Sequence, residues 1–191
     1  MYFTQYSYRP ASVEPAHKQQ QQIATWVIQQ LPTAFRYEHC GSTAIGVPGK
    51  GIIDIACLYP NVNADVAAKQ RAVESIIPQL QALGCEWQLA KSMFPAYRPR
   101  LDIGVMIESS DRLNPSLGNV INVHIHLLEY HSIEHQKQRY FRQRLLCSKA
   151  LRNQYMRIKA DLVEQGITEH QAYGQAKSQF IKTILQELYQ R

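Results

Sequence analysis

Apolar residues recur at helical spacing in two segments of the first half of the chain. Residues 14–31 place four large apolar side chains on one face of a helix: Ile23, Trp26, Val27 and Leu31. Residues 64–84 repeat valine, isoleucine and leucine at the same spacing and end at Gly84, a residue suited to terminating a helix. The pattern therefore predicts two amphipathic helices.

Shorter runs rich in apolar residues lie between and after these helices, and they predict β-strands. The candidate strands cover residues 34–40, 51–59, 85–90, 100–108 and 120–129. A polar, Gly- and Pro-containing segment at 109–119 separates the last two and predicts a turn. We therefore expect a mixed sheet of four or five strands.

From residue 132 onward the periodicity is helical throughout. Three helices are predicted, at 132–148, 149–166 and 168–190, and Thr168 and Gln171 have the spacing of a capping box at the start of the third. The fold class is thus α/β (α+β). We expect one domain over residues 1–191, with a sheet flanked by helices at about 34–128 and a C-terminal helical segment at about 132–190.

The positive charge is concentrated in the C-terminal segment. Residues 132–191 carry eleven basic and five acidic side chains, whereas the preceding residues carry ten of each, which accounts for the net charge of +6. A basic helical segment suits the phosphates of a nucleotide or a nucleic acid. A solvated helix surface accounts for the same excess equally well.

No segment approaches the roughly 18 apolar residues of a membrane span, and the N-terminus lacks a basic stretch followed by an apolar run. We therefore expect a soluble, cytoplasmic protein with no membrane partner. The four cysteines are scattered without C-x-x-C spacing, which predicts reduced, mostly structural thiols. They are Cys40, Cys57, Cys85 and Cys147.

Asp54 stands alone in the apolar strand "IIDIAC", where an unpaired carboxylate would be costly to bury. It follows a Gly-Ser turn at Gly41 and Ser42. A glycine lets the backbone approach a phosphate closely, and the hydroxyl and amides donate to it. A carboxylate on the next strand can hold Mg²⁺ against the same phosphates, although a plain tight turn also fits the Gly-Ser pair.

Two histidines share one face of the strand "VINVHIHLLE". His124 and His126 are about 7 Å apart along a strand, so both imidazoles can reach one site. They predict a metal or phosphate site, or two partly buried histidines whose hydrogen bonds are satisfied. His39, before the Gly-Ser turn, could line the same pocket or serve as a structural hydrogen-bonding residue.

The segment "EHCGSTAIGVPGKGIIDI" resembles the GrpB-like family, whose signature runs approximately H-V-G-S-T-A-V-P-G-L-x-A-K-P-I-I-D-I. Four later segments resemble that family's motifs in the same order: "VHIHLL", "RYFRQRLL", "YMRIKADL" and "AYGQAKSQFIKTIL". The resemblance runs from about residue 35 to the C-terminus. It implies a nucleotidyltransferase-type fold.

Carried over residue by residue, the resemblance assigns Gly41 and Ser42 to the Gly-Ser element that binds the nucleotide phosphates, with Thr43 beside them. It assigns Asp54 to the first, catalytic metal-binding carboxylate. Lys50 keeps its place before the Asp54 strand, where it could contact a phosphate or be a solvated loop lysine.

Two further basic residues fall on matched positions of the C-terminal helices. Arg142 and Lys159 could face the cleft, or the helices could hold them against acidic neighbours.

The chain departs from the nucleotidyltransferase pattern at the second acid. That pattern has an acid two residues after the first, and this chain has Ala56 there. The later strand offers histidines in place of an acid. Either one metal is held by Asp54 with His124 and His126, or catalysis is lost.

Three functions are consistent with these residues. The first is a nucleotidyltransferase that uses Mg²⁺ or Mn²⁺, a nucleoside triphosphate and an unknown acceptor. The second is a catalytically degenerate module that binds a nucleotide, or binds RNA through the basic C-terminal helices. The third is histidine-rich hydrolysis of a phosphate ester.

Overall fold

The computed structural model describes residues 1–8, 10–11, 18–60, 65–88, 95–107 and 120–190. In chain order the elements are β1 (Tyr2–Thr4), α1 (Lys18–Gln30), β2 (Arg36–Cys40), α2 (Gly41–Ala44), β3 (Ile53–Tyr59), α3 (Val66–Ala82), β4 (Glu86–Trp87), β5 (Arg100–Met106), β6 (Val120–Glu129), α4 (Ile133–Cys147), α5 (Lys149–Glu164), α6 (His170–Gln186) and a 3-10 helix (Glu187–Tyr189). The predicted turn at 109–119 and the predicted start of the first helix lie outside the described residues.

The strands form one mixed sheet in the order β1–β5–β6–β3–β2, with β4 also paired to β5. Strands β3 and β6 run parallel, and the other described pairs are antiparallel. The predicted mixed sheet flanked by helices is confirmed. It has six strands rather than four or five because β1, only three residues long, pairs with β5. Such a short strand shows no alternation in the sequence.

Strand β3 separates two environments. Its odd-numbered residues are buried in a core that α1 and α3 complete through side chains such as Val27 and Ile76. Its even-numbered residues, Asp54, Ala56 and Leu58, point to the opposite face because side chains alternate along a strand. Helix α4 contacts β2 and β6 on that face. Asp54 therefore lies between the sheet and the C-terminal helices.

The three C-terminal helices pack against one another. Serine side chains cap the first two: Oγ of Ser132 accepts from the amide of His135, and Oγ of Ser148 accepts from the amide of Leu151, both at 3.3 Å. An aromatic cluster joins the helices, with the rings of Tyr155 and Phe180 stacked at 5.3 Å between centroids. The predicted helical segment from residue 132 is confirmed.

The predicted capping box at Thr168 is wrong. Helix α6 has Glu169 at its N-cap, with no side-chain cap hydrogen bond. Thr168 lies outside the helix because its carbonyl accepts from the amide of Ala11 at 2.8 Å, which ties it to the N-terminal segment.

Two further sequence predictions concern thiols and membranes. All four cysteines are free, and all but Cys147 are buried, as expected of structural thiols. Within the ranges that the structure covers, no helix has both the length and the apolar character needed to cross a bilayer.

Candidate functional site

Polar side chains form a row across three strands on the face towards the C-terminal helices. Asp54 of β3 pairs with His124 of β6, and His124 pairs with Asp102 of β5. Residues directly opposite each other on neighbouring strands share a face of the sheet. The row Asp54–His124–Asp102 is therefore fixed by the register of the sheet, and His126 lies two residues farther along β6.

Asp54 and the two histidines converge. Nε2 of His126 lies 3.0 Å from Oδ1 of Asp54, and Nδ1 of His124 lies 3.5 Å from the same oxygen. One ligand atom from each residue lies within 4.8 Å of the other two, a spacing at which the three could hold a metal ion. The predicted convergence is confirmed, while metal binding stays a prediction.

The histidines are the partners that the isolated carboxylate requires. Burial alone raises the pKa of Asp54, but the hydrogen bonds and charges of His124 and His126 outweigh it and hold that pKa below its ordinary value. Burial lowers the pKa of His124. An ionised carboxylate and a neutral imidazole are the forms that bind metals, so these pKa shifts are compatible with metal coordination.

The Gly-Ser element joins β2 to the single turn of α2. Gly41 begins that turn with φ of 69°, a left-handed conformation that favours glycine. Ser42 follows, and its hydroxyl lies 3.2 Å from Nζ of Lys159 on α5. The side chain of Tyr155, also on α5, hydrogen-bonds Ser42 as well. Helix α5 therefore holds the Gly-Ser element in place.

The ammonium of Lys159 is held by contacts with other groups of the protein. Besides Ser42, its ammonium donates to the carbonyl of Pro48, and Nζ lies 4.6 Å from the centroid of the Tyr155 ring. Its side chain is almost fully buried, and burial, followed by the charge of Lys177, lowers the pKa of Lys159 to about 7. The amine fastens the loop before β3 to α5.

His39 and Thr43 support the Gly-Ser element from behind. Nδ1 of His39 lies 3.1 Å from Oε1 of Gln21, and Nε2 lies 2.8 Å from Oγ1 of Thr43. Burial lowers the pKa of His39 to about 4. His39 is absent from the residues that line the two cavities of the site, so its structural interpretation fits better than a pocket role.

The first cavity of the site has a volume of about 270 Å³. Thr43, Asp54 and both histidines line it together with four basic side chains: Lys50, Arg100, Lys159 and Lys177. Burial, followed by the charge of Lys50, lowers the pKa of Lys177 to about 8. Nζ of Lys50 and Nζ of Lys177 lie 5.8 and 4.3 Å from the centroid of the Tyr173 ring. Positive charge thus surrounds the candidate ligands.

The guanidinium of Arg100, which lines this cavity, forms an ion pair with a neighbouring carboxylate. Its Nε and Nη2 donate to the two carboxylate oxygens of Asp102, each at 2.8 Å, in a buried bidentate pair. Lys50 and Lys177 line the same cavity, next to the candidate ligands.

A second cavity of about 340 Å³ adjoins the first. The two cavities share Ser42, Asp54, His126 and Lys177. Arg142, predicted to face the cleft, lines the second cavity. Its Nη1 donates to the carbonyl of His39 at 2.6 Å, and its Nη2 lies 3.7 Å from Glu38.

Four residues near the candidate ligands were not predicted from the sequence: Tyr6, Arg100, Asp102 and Lys177. The hydroxyl of Tyr6 lies 3.2 Å from Nε2 of His124, on the side of the ring away from Asp54. Arg100 and Asp102 could have been found, because two charges at a spacing of two in an apolar strand must share a face. Tyr6 and Lys177 carry no such signal.

Comparison with solved structures shows what the chain is similar to. The crystal structure of the conserved protein GrpB from Enterococcus faecalis matches at a TM-score of 0.61 and 20% identity, over 93% of this chain and 95% of that one. This similarity shows a shared fold.

Two structures of Cid1, described as a poly(U) polymerase and as an RNA terminal uridylyl transferase, also match. Their TM-score is 0.44 at 10 and 12% identity, with 75 and 74% of this chain covered. This chain spans only 42 and 38% of those two chains.

None of the curated proteins compared with the sequence gives a significant match. The sequence description of one family, "GrpB protein", matches residues 7–187. That match covers most of the chain and includes every candidate ligand, and the chain therefore belongs to the GrpB family.

Proposed function

We propose that this protein binds a nucleoside triphosphate together with one divalent cation and transfers the nucleotidyl group to an acceptor. The observation that supports the proposal is the convergence of Asp54, His124 and His126 on the cavity that Lys50 and Lys177 line. A cation site beside basic side chains is the arrangement that polyphosphate chemistry requires.

The three candidate ligands fit a divalent transition-metal ion. They offer one carboxylate oxygen and two imidazole nitrogens from neighbouring strands. Mg²⁺ prefers oxygen ligands, whereas imidazole suits transition metals, so the donor set favours Mn²⁺ over Mg²⁺. A bound ion would supply charge neutralisation for the phosphates.

The chain's own residues divide into those that meet the nucleotide and those that position them. Ser42, Lys50 and Lys177 would contact the phosphates, because they line the cavity around Asp54. Lys159 and Thr43 would act as positioning residues, since their polar atoms are engaged by the loops that carry Ser42. Arg142 would contribute from the second cavity.

Ala56 favours a second candidate, a nucleotide-binding module without catalysis. Its side chain is buried beside Cys40, Leu58 and Leu128, so β3 presents no second acid. Classical nucleotidyl transfer uses two metals held by two or three carboxylates. A single-cation site can bind the nucleotide and still transfer it slowly or not at all.

The basic C-terminal helices are less free to bind nucleic acid than their composition indicates. Lys137 pairs with Glu134 at 3.0 Å, and Arg144 pairs with Glu187 at 2.8 Å. We therefore propose a nucleotide, rather than RNA, as the main ligand.

A thermal-shift screen of the four ribonucleoside triphosphates, each with Mn²⁺, with Mg²⁺ and without metal, tests binding. At a ligand concentration of 100 Kd we expect a gain of about 2.7 kcal/mol in the free energy of unfolding, or roughly 5–11 °C. Lys177→Gln should weaken binding about ten- to hundredfold because a charge-assisted hydrogen bond is lost. Lys182→Gln, an exposed position on the same helix, is the matched control.

Release of pyrophosphate with an acceptor mixture separates the two candidates. Metal-dependent release supports transfer, and binding without release supports the non-catalytic module. Release of orthophosphate from the triphosphate would instead indicate hydrolysis of its terminal phosphoanhydride bond. Absence of any metal-dependent nucleotide shift contradicts the proposed function.

A further inference from the structure

The two cavities of the site both reach Asp54 and differ in their other lining residues. They share Ser42, Asp54, His126 and Lys177, but the basic side chains Lys50 and Arg100 line only the first. We propose that the second cavity is the acceptor site, and that its ligand is a small alcohol with an apolar, ring-sized body. This inference rests on the proposed function.

The lining of the second cavity determines this class of ligand. Five apolar or aromatic side chains, one just after α2 and the others on α4, α5 and α6, surround it: Ile45, Phe141, Tyr155, Ile181 and Leu185. Aromatic and aliphatic walls with a few convergent polar groups are typical of sites for small molecules, and about 340 Å³ lies within their usual range. A ring-sized apolar body fills this space while its hydroxyl reaches the shared residues.

Three charged residues that line the second cavity but not the first have partners within the protein: Glu134, Lys137 and Arg142. Glu134 lies 3.0 Å from Lys137 and 3.0 Å from Arg98, and Arg142 is close to Glu38. A nucleic-acid strand requires a row of cations along its backbone. Paired charges around an apolar cavity suit an uncharged molecule better, so we infer a small alcohol rather than an RNA end.

In this proposal both reactants lie next to Asp54, which lines both cavities. The hydroxyl oxygen of the acceptor forms a new bond to the α-phosphorus of the nucleotide in the first cavity. The bond from that phosphorus to the oxygen bridging to the β-phosphate breaks, and pyrophosphate leaves with the electron pair. The hydroxyl proton passes to solvent, so atoms and charge balance.

Phenethyl alcohol is a suitable probe because it joins a ring to a primary hydroxyl. Saturation-transfer NMR without nucleotide should detect its binding to the unmodified protein, and glycerol at the same concentration should not bind. Ile181→Trp fills the second cavity and should weaken probe binding at least fivefold. Thr183→Trp adds the same bulk at an exposed position of α6 and should leave probe binding unchanged.

A second measurement uses the unmodified protein and does not depend on the folding of a variant. Mn²⁺ should broaden the hydroxymethyl protons of the bound probe more than its ring protons, because the hydroxyl points towards Asp54. Diamagnetic Mg²⁺ in place of Mn²⁺ should remove that difference. Equal broadening of both groups, or undiminished binding to Ile181→Trp, would overturn the acceptor site.

The two proposals fail separately. Probe binding with no metal-dependent nucleotide shift would reject the proposed function and leave a ligand site in the second cavity. A nucleotide shift without probe binding would reject the acceptor site alone. Displacement of the probe by a single-stranded oligonucleotide would reject the small-alcohol assignment in favour of nucleic acid.

Discussion

Gly41 lies directly against the carboxylate of Asp54. A Cβ atom added to Gly41 would stand 2.9 Å from Cγ of Asp54 and closer still to Oδ2. Side chains do not approach so closely, and φ of 69° independently disfavours any residue other than glycine. Gly41 therefore leaves room for the candidate catalytic carboxylate as well as shaping the turn.

Gly41→Ala should disrupt the site, and Gly46→Ala is its matched control. Gly46 has a similar φ of 67°, but an added Cβ there meets no atom within 4 Å. Both variants should lose about 1–3 kcal/mol of stability from backbone strain. Only Gly41→Ala should also lose Mn²⁺ binding, measured by isothermal titration calorimetry. Equal loss of Mn²⁺ binding in both variants would contradict the role assigned to this contact.

Asp54→Asn should abolish the Mn²⁺-dependent stabilisation by nucleotide while the fold persists. The change is nearly isosteric but weakens the contacts of the carboxylate with His124 and His126, so the metal-free variant should melt at a somewhat lower temperature. Thermal unfolding with nucleotide, with and without Mn²⁺, measures both effects.

Asp161→Asn controls for loss of one negative charge, because Asp161 is exposed on α5. It should behave as the unmodified protein does. A nucleotide shift that survives Asp54→Asn would reject Asp54 as the cation ligand.

Ala56→Asp should restore a second acid on the face that carries Asp54. Ala56 is directly paired with Glu38 on β2 and His126 on β6, so the new carboxylate would lie beside the candidate site. We expect about tenfold tighter Mg²⁺ binding, since oxygen ligands suit that ion, with a loss of about 1–3 kcal/mol in metal-free stability. Ala56→Asn should show the same loss of metal-free stability without the tighter Mg²⁺ binding. Unchanged Mg²⁺ affinity would mean that position 56 cannot reach the cation.

The free energy of unfolding should rise with pH above the lowered pKa of Lys159. Below pH 7 both the folded and unfolded states hold its proton, so the penalty for burying the ammonium is present in full. Above pH 7 the folded state loses a proton that the unfolded state keeps up to about pH 10.4. The free energy of unfolding should therefore increase by about 1 kcal/mol between pH 7 and 8.

Denaturant unfolding at the two pH values measures this increase. Lys159→Met should remove most of it and leave the smaller part due to Lys177, whereas Lys149→Met, an exposed position on the same helix, should retain it in full. Measurements stay below pH 8.5 because burial raises the pKa of Cys57 and Cys85 to about 12, which lowers stability at higher pH. If the rise in the free energy of unfolding is undiminished in Lys159→Met, another group is responsible for it.

Long elements with strong periodicity were predictable from the sequence, and short ones were not. Strand β6 occupies the predicted residues 120–129 because its apolar alternation is uninterrupted. Strand β1 is held by three residue pairs with β5, so its existence depends on a partner about 100 positions away. The Thr168 capping box failed for a similar reason, since a contact with Ala11 fixes that residue.

The candidate ligands were predictable because each breaks a pattern. Asp54, His124 and His126 are polar residues in apolar strands, and alternation indicates which of them share a face. Lys177 gave no such signal, since it is one basic residue among many in a helical segment. Its place beside Asp54 results from how α6 packs against α4 and α5, which no local pattern encodes.

The parallel pairing of β3 and β6 has a consequence for folding. His126 and Asp54 are 72 positions apart in the chain, and they meet only when the two central strands have paired in register. Closing so large a loop has an entropic cost, and the chain must meet it before this contact can form. An ion could therefore bind these residues only after the two central strands have paired. A bound ion would stabilise the protein against global unfolding rather than against local fraying.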